Sequence, residues 1–279
     1  MKWWNYFKSR SVKAPRELIR CVRLTLSGWT EAPMSDIQRR WQNRDNEALV
    51  PSIRNIANRL DNIVRQPGAA QVFGAQGSTR FGHHFERSFV KPTDLSRLET
   101  RLGVHLPTDY REHLMKVGSN VGPYYGLYSP DQMIEEIADG ETESFLENEA
   151  PPTPSRHFPI YKENLVSFLR AVAEGSHPAY IKGRWPSDGC VPICYQGCTF
   201  WTALVTAGEF IGSVWDVACY EGWDGQWIPA QRAPGILDVE TKAKLPALSS
   251  PPTFLEWYEA WLERVEVDLA SWAALRRSD

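Results

Sequence analysis

The chain has 279 residues, of which 42% are hydrophobic and twelve are tryptophan, and its formal net charge at pH 7 is −3. A chain of this length buries roughly 70–75% of the surface that its unfolded form exposes, so it needs neither disulfides nor a metal to be stable. Residues 1–33 hold seven basic and two acidic residues, which leaves 24 basic against 32 acidic residues in the remainder; this acidic remainder argues against a nucleic-acid partner and suits a basic protein partner.

The basic N-terminal segment, residues 1–33, has two open interpretations. Two arginines interrupt its most apolar stretch, LIRCVRLTLSGW, so the segment lacks the continuous apolar core of a secretion signal. It is either a disordered or amphipathic surface segment, or a translated leader with the true start at Met34. An odd cysteine count of five without a secretion signal predicts a cytoplasmic protein in a reducing compartment.

Residues 34–70 predict a helical extension. Apolar residues from Ile37 to Ile63 recur mostly at helical spacing. Pro51 is expected in the first turn of a second helix, where its missing N–H costs no hydrogen bond. Residues 67–92 are mixed in composition and predict loops with one or two short strands.

Two short helices are predicted next. Thr93 or Asp94 is suited to cap the first helix, and Gly103 to end it. Pro107 fits the first position of the second helix, which Gly118 terminates. The apolar face of this second helix comprises Tyr110, Leu114 and Val117.

An acidic segment follows. Between Val117 and Ser155 the sequence has no Lys or Arg, whereas residues 131–149 hold eight acids. Such a run is more often a solvated helix and loop, and the alternative is an electronegative face for a cationic partner. The acids are Asp131, Glu135, Glu136, Asp139, Glu141, Glu143, Glu147 and Glu149.

After a further predicted helix at residues 161–173, the sequence predicts an antiparallel meander. The stretches CVPICY, CTFWTALVT and FIGSVWDVACY alternate apolar residues, with turns expected at Gln196-Gly197 and at residues 207–209. The stretch EGWDGQWIP predicts another hairpin about Asp224-Gly225. The uncharged run 189–208 is long enough for a membrane span, but its proline, glutamine and threonines indicate strands, so no membrane association is expected.

The C-terminal part predicts one amphipathic helix. Pro251 and Pro252 precede it, and apolar residues then recur along one face. This stripe comprises Phe254, Tyr258, Trp261, Val265, Leu269 and Trp272.

Three cysteines four residues apart, Cys190, Cys194 and Cys198, are the strongest sign of chemistry. A zinc site needs four ligands, usually in CxxC pairs, and here Cys219 and scattered histidines are the only distant candidates. We therefore interpret the three as buried strand cysteines. The sequence also lacks HExxH, GK[ST] and GxSxG motifs, so we expect no catalytic residue, no metal and no cofactor. An enzyme that uses Cys194 or the histidines is a distant alternative.

The stretch LSRLETRLGVHLPTDYREHLMKVGSNVGPYYGL resembles the Smi/Knr family of the SUKH superfamily. The family pattern is a polar helix, then L-G-x-x-L-P-x-D-Y, then a helix that ends in a small-residue turn, matched here from Glu99 to Gly118. Bacterial members often continue with G-P-Y-Y-G-L, matched at residues 122–127, although many have Asn-Gly-Gly where this chain has GSNVG. The strands carry the family's G-x-V-W at residues 212–215, and TFLEWYEAWLE is similar to its closing helix.

The resemblance implies an α+β domain over residues 71–275, with a mixed, largely antiparallel sheet packed against helices. The helical extension precedes this domain and the amphipathic helix closes it. Many bacterial members look like cytosolic immunity proteins that neutralise a toxin, whereas fungal members act as signalling scaffolds, and neither kind is an enzyme. The implied function is a protein-binding module, either an immunity protein that occludes a basic toxin domain or a scaffold for a cellular partner.

The candidate partner-binding residues combine aromatic rings with acids. Large rings anchor protein interfaces, and carboxylates steer a cationic partner toward its site. The alternative for each residue is structural, and for the tyrosines it is the closing of a corner in which nearby glycines supply backbone freedom. The candidates are Tyr124, Tyr125, Tyr128, Glu135, Glu136, Asp139, Trp215, Asp216, Trp223 and Asp224.

Overall fold

The computed structural model describes residues 46–75, 85–143, 153–165, 167, 188–197, 200–220, 224–230 and 251–275. These residues form an α+β fold, as predicted from the sequence. Its helices are α1 (Asn46–Val64), α2 (Pro92–Leu102), α3 (Thr108–Lys116), α4 (Pro130–Glu143) and α5 (Phe254–Leu275). Its strands are β1 (Cys190–Gly197), β2 (Phe200–Val205), β3 (Val214–Tyr220) and β4 (Asp224–Pro229).

Helix α1 belongs to the helical extension and is continuous. Pro51 lies inside it, so the prediction that Pro51 opens a second helix is wrong. Pro51 is the sixth residue of this helix, beyond the four N–H groups that have no partner within a helix, so it removes one hydrogen bond of the ladder. Helix α1 packs against α3 and α5, and the Arg59 guanidinium donates two hydrogen bonds of 2.8 Å to Glu266 on α5. Its buried stripe comprises Ile53, Ile56, Leu60 and Ile63.

Helix α2 begins one residue before the predicted caps. Pro92 occupies its first turn and Lys91 precedes it, so neither Thr93 nor Asp94 is the capping residue. Proline suits this position because its fixed φ is already helical. The predicted stop is confirmed, since Gly103 follows the helix with a φ of 67°, a left-handed conformation that glycine adopts without strain.

Helix α3 keeps its predicted apolar face. Pro107 is the residue before the helix rather than its first residue, because its ψ of 138° is extended. Gly118 follows the helix with a φ of 104°, a backbone conformation that residues with a side chain rarely adopt. The helix therefore ends before Gly118, as predicted. The residues of the predicted face, Tyr110, Leu114 and Val117, are all fully buried.

The strands form the predicted antiparallel meander, in the order β1-β2-β3-β4. Two turn positions differ from the prediction. Strand β1 continues through Gln196 to Gly197, which pairs with Phe200, so these residues extend the strand. Asp224 likewise begins β4 and pairs with Tyr220 instead of forming the centre of the hairpin.

The sheet separates two buried clusters. Leu204 and Val214 point toward the helices and share one core with α1 to α5. The next residue along β3 points to the opposite face, since side chains alternate along a strand. That face carries a second, aromatic cluster in which ring centroids lie 5.4–5.7 Å apart, formed by Phe158, Phe210, Trp215 and Trp227.

Helix α5 confirms the predicted C-terminal helix. Five residues of its stripe are buried, and the sixth, Trp272, is 38% exposed near the end of the helix. The predicted helix at 161–173 lies mostly outside the described residues, and the part that is described includes a 3-10 turn at Lys162–Asn164. None of the described helices is both long and apolar enough to cross a membrane.

Candidate functional site

The glycine- and tyrosine-rich segment 118–129, which we term the edge bend, covers the outer edge of strand β1. The backbone N–H of Tyr128 donates to the carbonyl oxygen of Ile193 at 2.8 Å, and Leu127 forms an isolated bridge with Cys194. The N–H of Tyr125 donates to the carbonyl of Tyr195 at 3.4 Å. An exposed strand edge presents unpaired N–H and C=O groups, and the edge bend satisfies several of them.

Tyr124 holds the edge bend in a conformation that is unusual for a residue with a side chain. Its φ is 56°, in the left-handed region, and its side chain is only 5% exposed. The loop after α1 packs closely behind it, since a Cβ added at Gly74 would lie 1.6 Å from the Tyr124 carbonyl oxygen. Such a conformation costs about 1–3 kcal/mol and persists because the surrounding packing enforces it.

Cys194 joins the edge bend to the sheet from within. Its Sγ lies 3.1 Å from the Pro123 carbonyl oxygen, to which it donates. Burial, and then the nearby Asp216 carboxylate, raise the pKa of the thiol well above its usual range. A buried thiol that stays protonated is a structural donor and a poor nucleophile.

Four aromatic rings from the loop after α1, the edge bend and the β1–β2 hairpin form a continuous row, which we term the aromatic ladder. Phe73, in the loop after α1, lies 5.4 Å from Tyr125 of the edge bend. Tyr125 stacks on Tyr195 of β1 at 5.9 Å, and Tyr195 lies 5.8 Å from Trp201 of β2. Phe73 is 38% exposed and Trp201 only 8%, so the row runs from the surface into the sheet. Tyr125 and Tyr195 are partly exposed.

Helix α4 carries the predicted acids directly after the edge bend. The pair Ser129 and Gln132 forms a capping box at its start, with Ser129 N donating to Gln132 Oε1 at 2.9 Å and Gln132 N donating to Ser129 Oγ at 3.3 Å. Met133 and Ile137 are buried, which fixes the opposite side of the helix toward solvent. Glu135 on that side is exposed.

Tyr128 and Glu136 link the edge bend to α4. The Tyr128 hydroxyl donates to Glu136 Oε2 at 2.9 Å. Burial, the Glu136 carboxylate and, to a smaller extent, the neighbouring Cys194 and Tyr195 raise the pKa of Tyr128 above its usual range. The phenol therefore stays protonated and keeps this hydrogen bond throughout the neutral range. One carboxylate of the acidic face is thus fixed in position.

A polar network fixes the end of the β1–β2 hairpin. The side-chain amide of Gln196 donates to Asp216 Oδ1 at 2.6 Å and to Thr202 Oγ1 at 2.8 Å, and the Thr202 hydroxyl lies 3.1 Å from the same carboxylate oxygen. Asp216 is only 9% exposed. The sequence reasoning missed Gln196, because it was assigned to a turn. The sequence did contain a signal for this network, because Gln196, Thr202 and Asp216 are polar residues within otherwise apolar strands.

The remaining sequence candidates fall in different surroundings. Trp215 is fully buried, and its indole N–H donates to Ser213 Oγ at 2.9 Å. Trp223 lies outside the described residues. For Asp139 and Asp224 only the backbone is described, in α4 and at the start of β4 respectively. The structure thus places Tyr125, Tyr128, Glu135 and Glu136 on the edge bend and α4, while Trp215 lies within the second cluster.

His113 is one of the histidines to which the distant enzyme alternative refers, as a possible base. It is fully buried, and its ring packs edge-on against Tyr258 at 4.3 Å and Phe254 at 4.9 Å. Neither ring nitrogen has a hydrogen-bond partner among the described residues. Burial, and then the positive charge of Arg87, lower the pKa of His113 to about 3. The imidazole is therefore neutral at pH 7 and acts as a packing element between α3 and α5.

No group of three or more His, Cys, Asp or Glu side chains within the described ranges is arranged to hold a metal ion. Cys190 and Cys194 are fully buried in β1, in agreement with the strand interpretation. Cys198 lies outside the described residues, and of Cys219 only the backbone is described.

A protein-family model, that of the SMI1 / KNR4 family (SUKH-1), matches residues 90–232, just over half of the chain. The matched range contains the edge bend, α4 and the meander, whereas Phe73 and helices α1 and α5 lie outside it. No curated protein and no solved structure gives a significant match.

Proposed function

The chain belongs to the SMI1 / KNR4 family (SUKH-1), and from this premise we propose that it is a non-enzymatic protein-binding module, specifically a cytoplasmic immunity protein that neutralises a cognate bacterial toxin. The observation that carries the proposal is the position of the edge bend. It presents partly exposed aromatic rings next to a helix whose solvent side is acidic. The proposed mechanism is stoichiometric occlusion of the active site of the toxin.

The excess of acidic residues supports the proposal that the partner is cationic. Residues 118–154 contain no Lys or Arg, and the chain from residue 34 onward carries 24 basic against 32 acidic residues. Complementary charge raises the rate of association more than the final affinity, and salt screens it over a distance of about 8–10 Å. The association rate should therefore fall as ionic strength rises.

Rigidity of the surface supports tight binding. The edge bend is bonded to β1 through its backbone and through Cys194, and to α4 through the Tyr128–Glu136 hydrogen bond. A surface that is already ordered loses little conformational entropy on binding. We propose that Tyr125, Tyr128, Glu135 and Glu136 contact the partner.

The surroundings of the other candidate partner-binding residues decide the role that we propose for each. We propose that the buried side chains of Tyr124, Trp215 and Asp216 position this surface rather than touch the partner. Asp139, Trp223 and Asp224 are retained as proposed contacts.

Growth rescue tests the proposal. The product of the neighbouring gene is expressed in a sensitive host with and without this protein, and complex formation is measured at two salt concentrations. We expect rescue and a one-to-one complex that forms more slowly at high salt. If the neighbouring product is harmless and forms no complex, the scaffold function seen in fungal members becomes the better explanation.

A matched pair of charge reversals locates the surface. Glu135→Lys on α4 should slow association and weaken rescue, whereas Glu263→Lys, the same change at an exposed position of α5, should leave both unchanged. If the two variants behave alike while both remain folded, α4 is not part of the binding surface.

A further inference from the structure

The aromatic ladder is assembled by tertiary structure alone. Phe73 precedes the edge bend by about fifty residues, and Tyr195 follows it by about seventy, yet successive ring centroids lie 5.4 and 5.9 Å apart. A fully buried row of rings would be explained by core packing. This row is exposed at Phe73 and partly exposed at Tyr125 and Tyr195, so ring surface remains available to a partner.

The chemistry around the ladder favours a cation of a particular shape. The face of an aromatic ring is electronegative and attracts a cation placed over it. A carboxylate is tied to the strand that carries the ladder, because Glu136 accepts a hydrogen bond from Tyr128, and the Tyr128 backbone is bonded to Ile193, two residues before Tyr195 on β1. A planar guanidinium can stack on a ring and donate hydrogen bonds to two carboxylate oxygens at once, whereas an ammonium group is compact and strongly hydrated.

We propose that the aromatic ladder, together with the carboxylates of α4, is an arginine-recognition surface for a basic segment of a protein partner. The inference deepens the proposed function, on which it rests for the kind of partner. It assigns a role to Phe73, which lies outside the range that the family model matches. In this arrangement an arginine side chain of the partner packs over the exposed ring of Phe73 and the exposed part of Tyr125, and its outer nitrogens face the acids of α4.

Two peptides of equal length and equal charge test the proposal on the full chain. One carries arginine and glycine, the other lysine and glycine, and their dissociation constants are measured by fluorescence anisotropy at one salt concentration. The arginine peptide should bind about two- to fivefold more tightly, the range expected for one exposed cation–π contact. Equal affinities would overturn the proposal and leave only a general attraction between opposite charges.

Variants separate stacking from charge. Tyr125→Leu and Phe73→Leu should each reduce the preference for arginine, whereas Tyr125→Phe keeps the ring face and should retain it. Glu135→Gln should weaken binding of both peptides more than Glu263→Gln, its matched control on α5. An arginine preference that persists in both leucine variants would overturn the assignment. Self-association of the chain that Phe73→Leu abolishes would also overturn it, since the ladder would then be occupied by a second copy.

Failure of the arginine-recognition surface can be distinguished from failure of the proposed immunity function. Toxin neutralisation without an arginine preference would refute the recognition surface alone. An arginine preference lost in the leucine variants, in a protein that protects against no neighbouring toxin, would support the surface and refute the immunity role.

Discussion

The hydroxyl of Tyr258 on helix α5 donates a hydrogen bond of 3.1 Å to the carbonyl oxygen of Val121 in the edge bend, joining residues 137 positions apart. Both residues are fully buried. The closing helix therefore supports the proposed binding surface from behind, although it lies outside the range matched by the family model.

Tyr258→Phe should destabilise the fold by about 1–3 kcal/mol, because it leaves the buried Val121 carbonyl without this donor. Chemical denaturation with a linear extrapolation measures the free energy of unfolding. Tyr161→Phe, the same change at an exposed residue, should shift it by no more than about 0.5 kcal/mol. Equal effects in the two variants would show that the bond does not contribute.

Thr202→Val should cost about 1–3 kcal/mol, because the buried network with Gln196 and Asp216 loses its central hydroxyl while the side-chain volume is kept. Thr93→Val, at an exposed position of α2, is the matched control. Thermal unfolding of both variants provides the comparison. An unchanged midpoint for Thr202→Val would mean that Gln196 and Asp216 hold the hairpin without it.

Acid should destabilise the protein through His113. Its pKa is about 3 in the folded chain against about 6.5 when unfolded, so the unfolded state binds more protons between these values. Stability contributed by the neutral imidazole is complete above pH 6.5 and declines as the pH falls toward 3, with a slope that approaches about 1.4 kcal/mol per pH unit.

The measurement is the free energy of unfolding between pH 7 and pH 5, in the wild type and in His113→Gln. The variant should lose most of this pH dependence. A slope unchanged by His113→Gln would show that the imidazole gains access to a proton without unfolding.

Substitution by alanine should have different effects on stability at two glycines with similar backbone conformations. Gly74 and Gly103 have φ values of 83° and 67°, but an added Cβ meets the Tyr124 carbonyl oxygen at 1.6 Å in the first case and only Ser155 Oγ at 3.9 Å in the second. Gly103→Ala should cost about 1 kcal/mol.

Gly74→Ala should cost several times as much, or separate the Phe73 loop from the edge bend and so weaken partner binding. Denaturation and peptide binding, measured on both variants, distinguish these two results. If Gly74→Ala is as mild as Gly103→Ala in both measurements, the loop does not pack closely on Tyr124.

Local periodicity predicted most of the described elements, although it did not predict that one helix continues through Pro51. The face of α3, its stop at Gly118 and the stripe of α5 were read from spacing, because the burial of one helix face depends on residues three and four apart. Turn chemistry was less reliable. Gln196 looks like a turn residue, but a strand carries it because pairing with β2 and a bond to Asp216 outweigh its local preference.

The sequence by itself determined the α+β class, the order of helices and strands, and the acidic character of residues 131–149. Only the tertiary structure decided which aromatic residues meet, because contacts among Phe73, Tyr125 and Tyr195 join segments that have no periodic relationship in the chain. It also decided that Tyr124 and Trp215 are buried while Tyr125 is partly exposed, since the exposure of an aromatic ring depends on what packs over it.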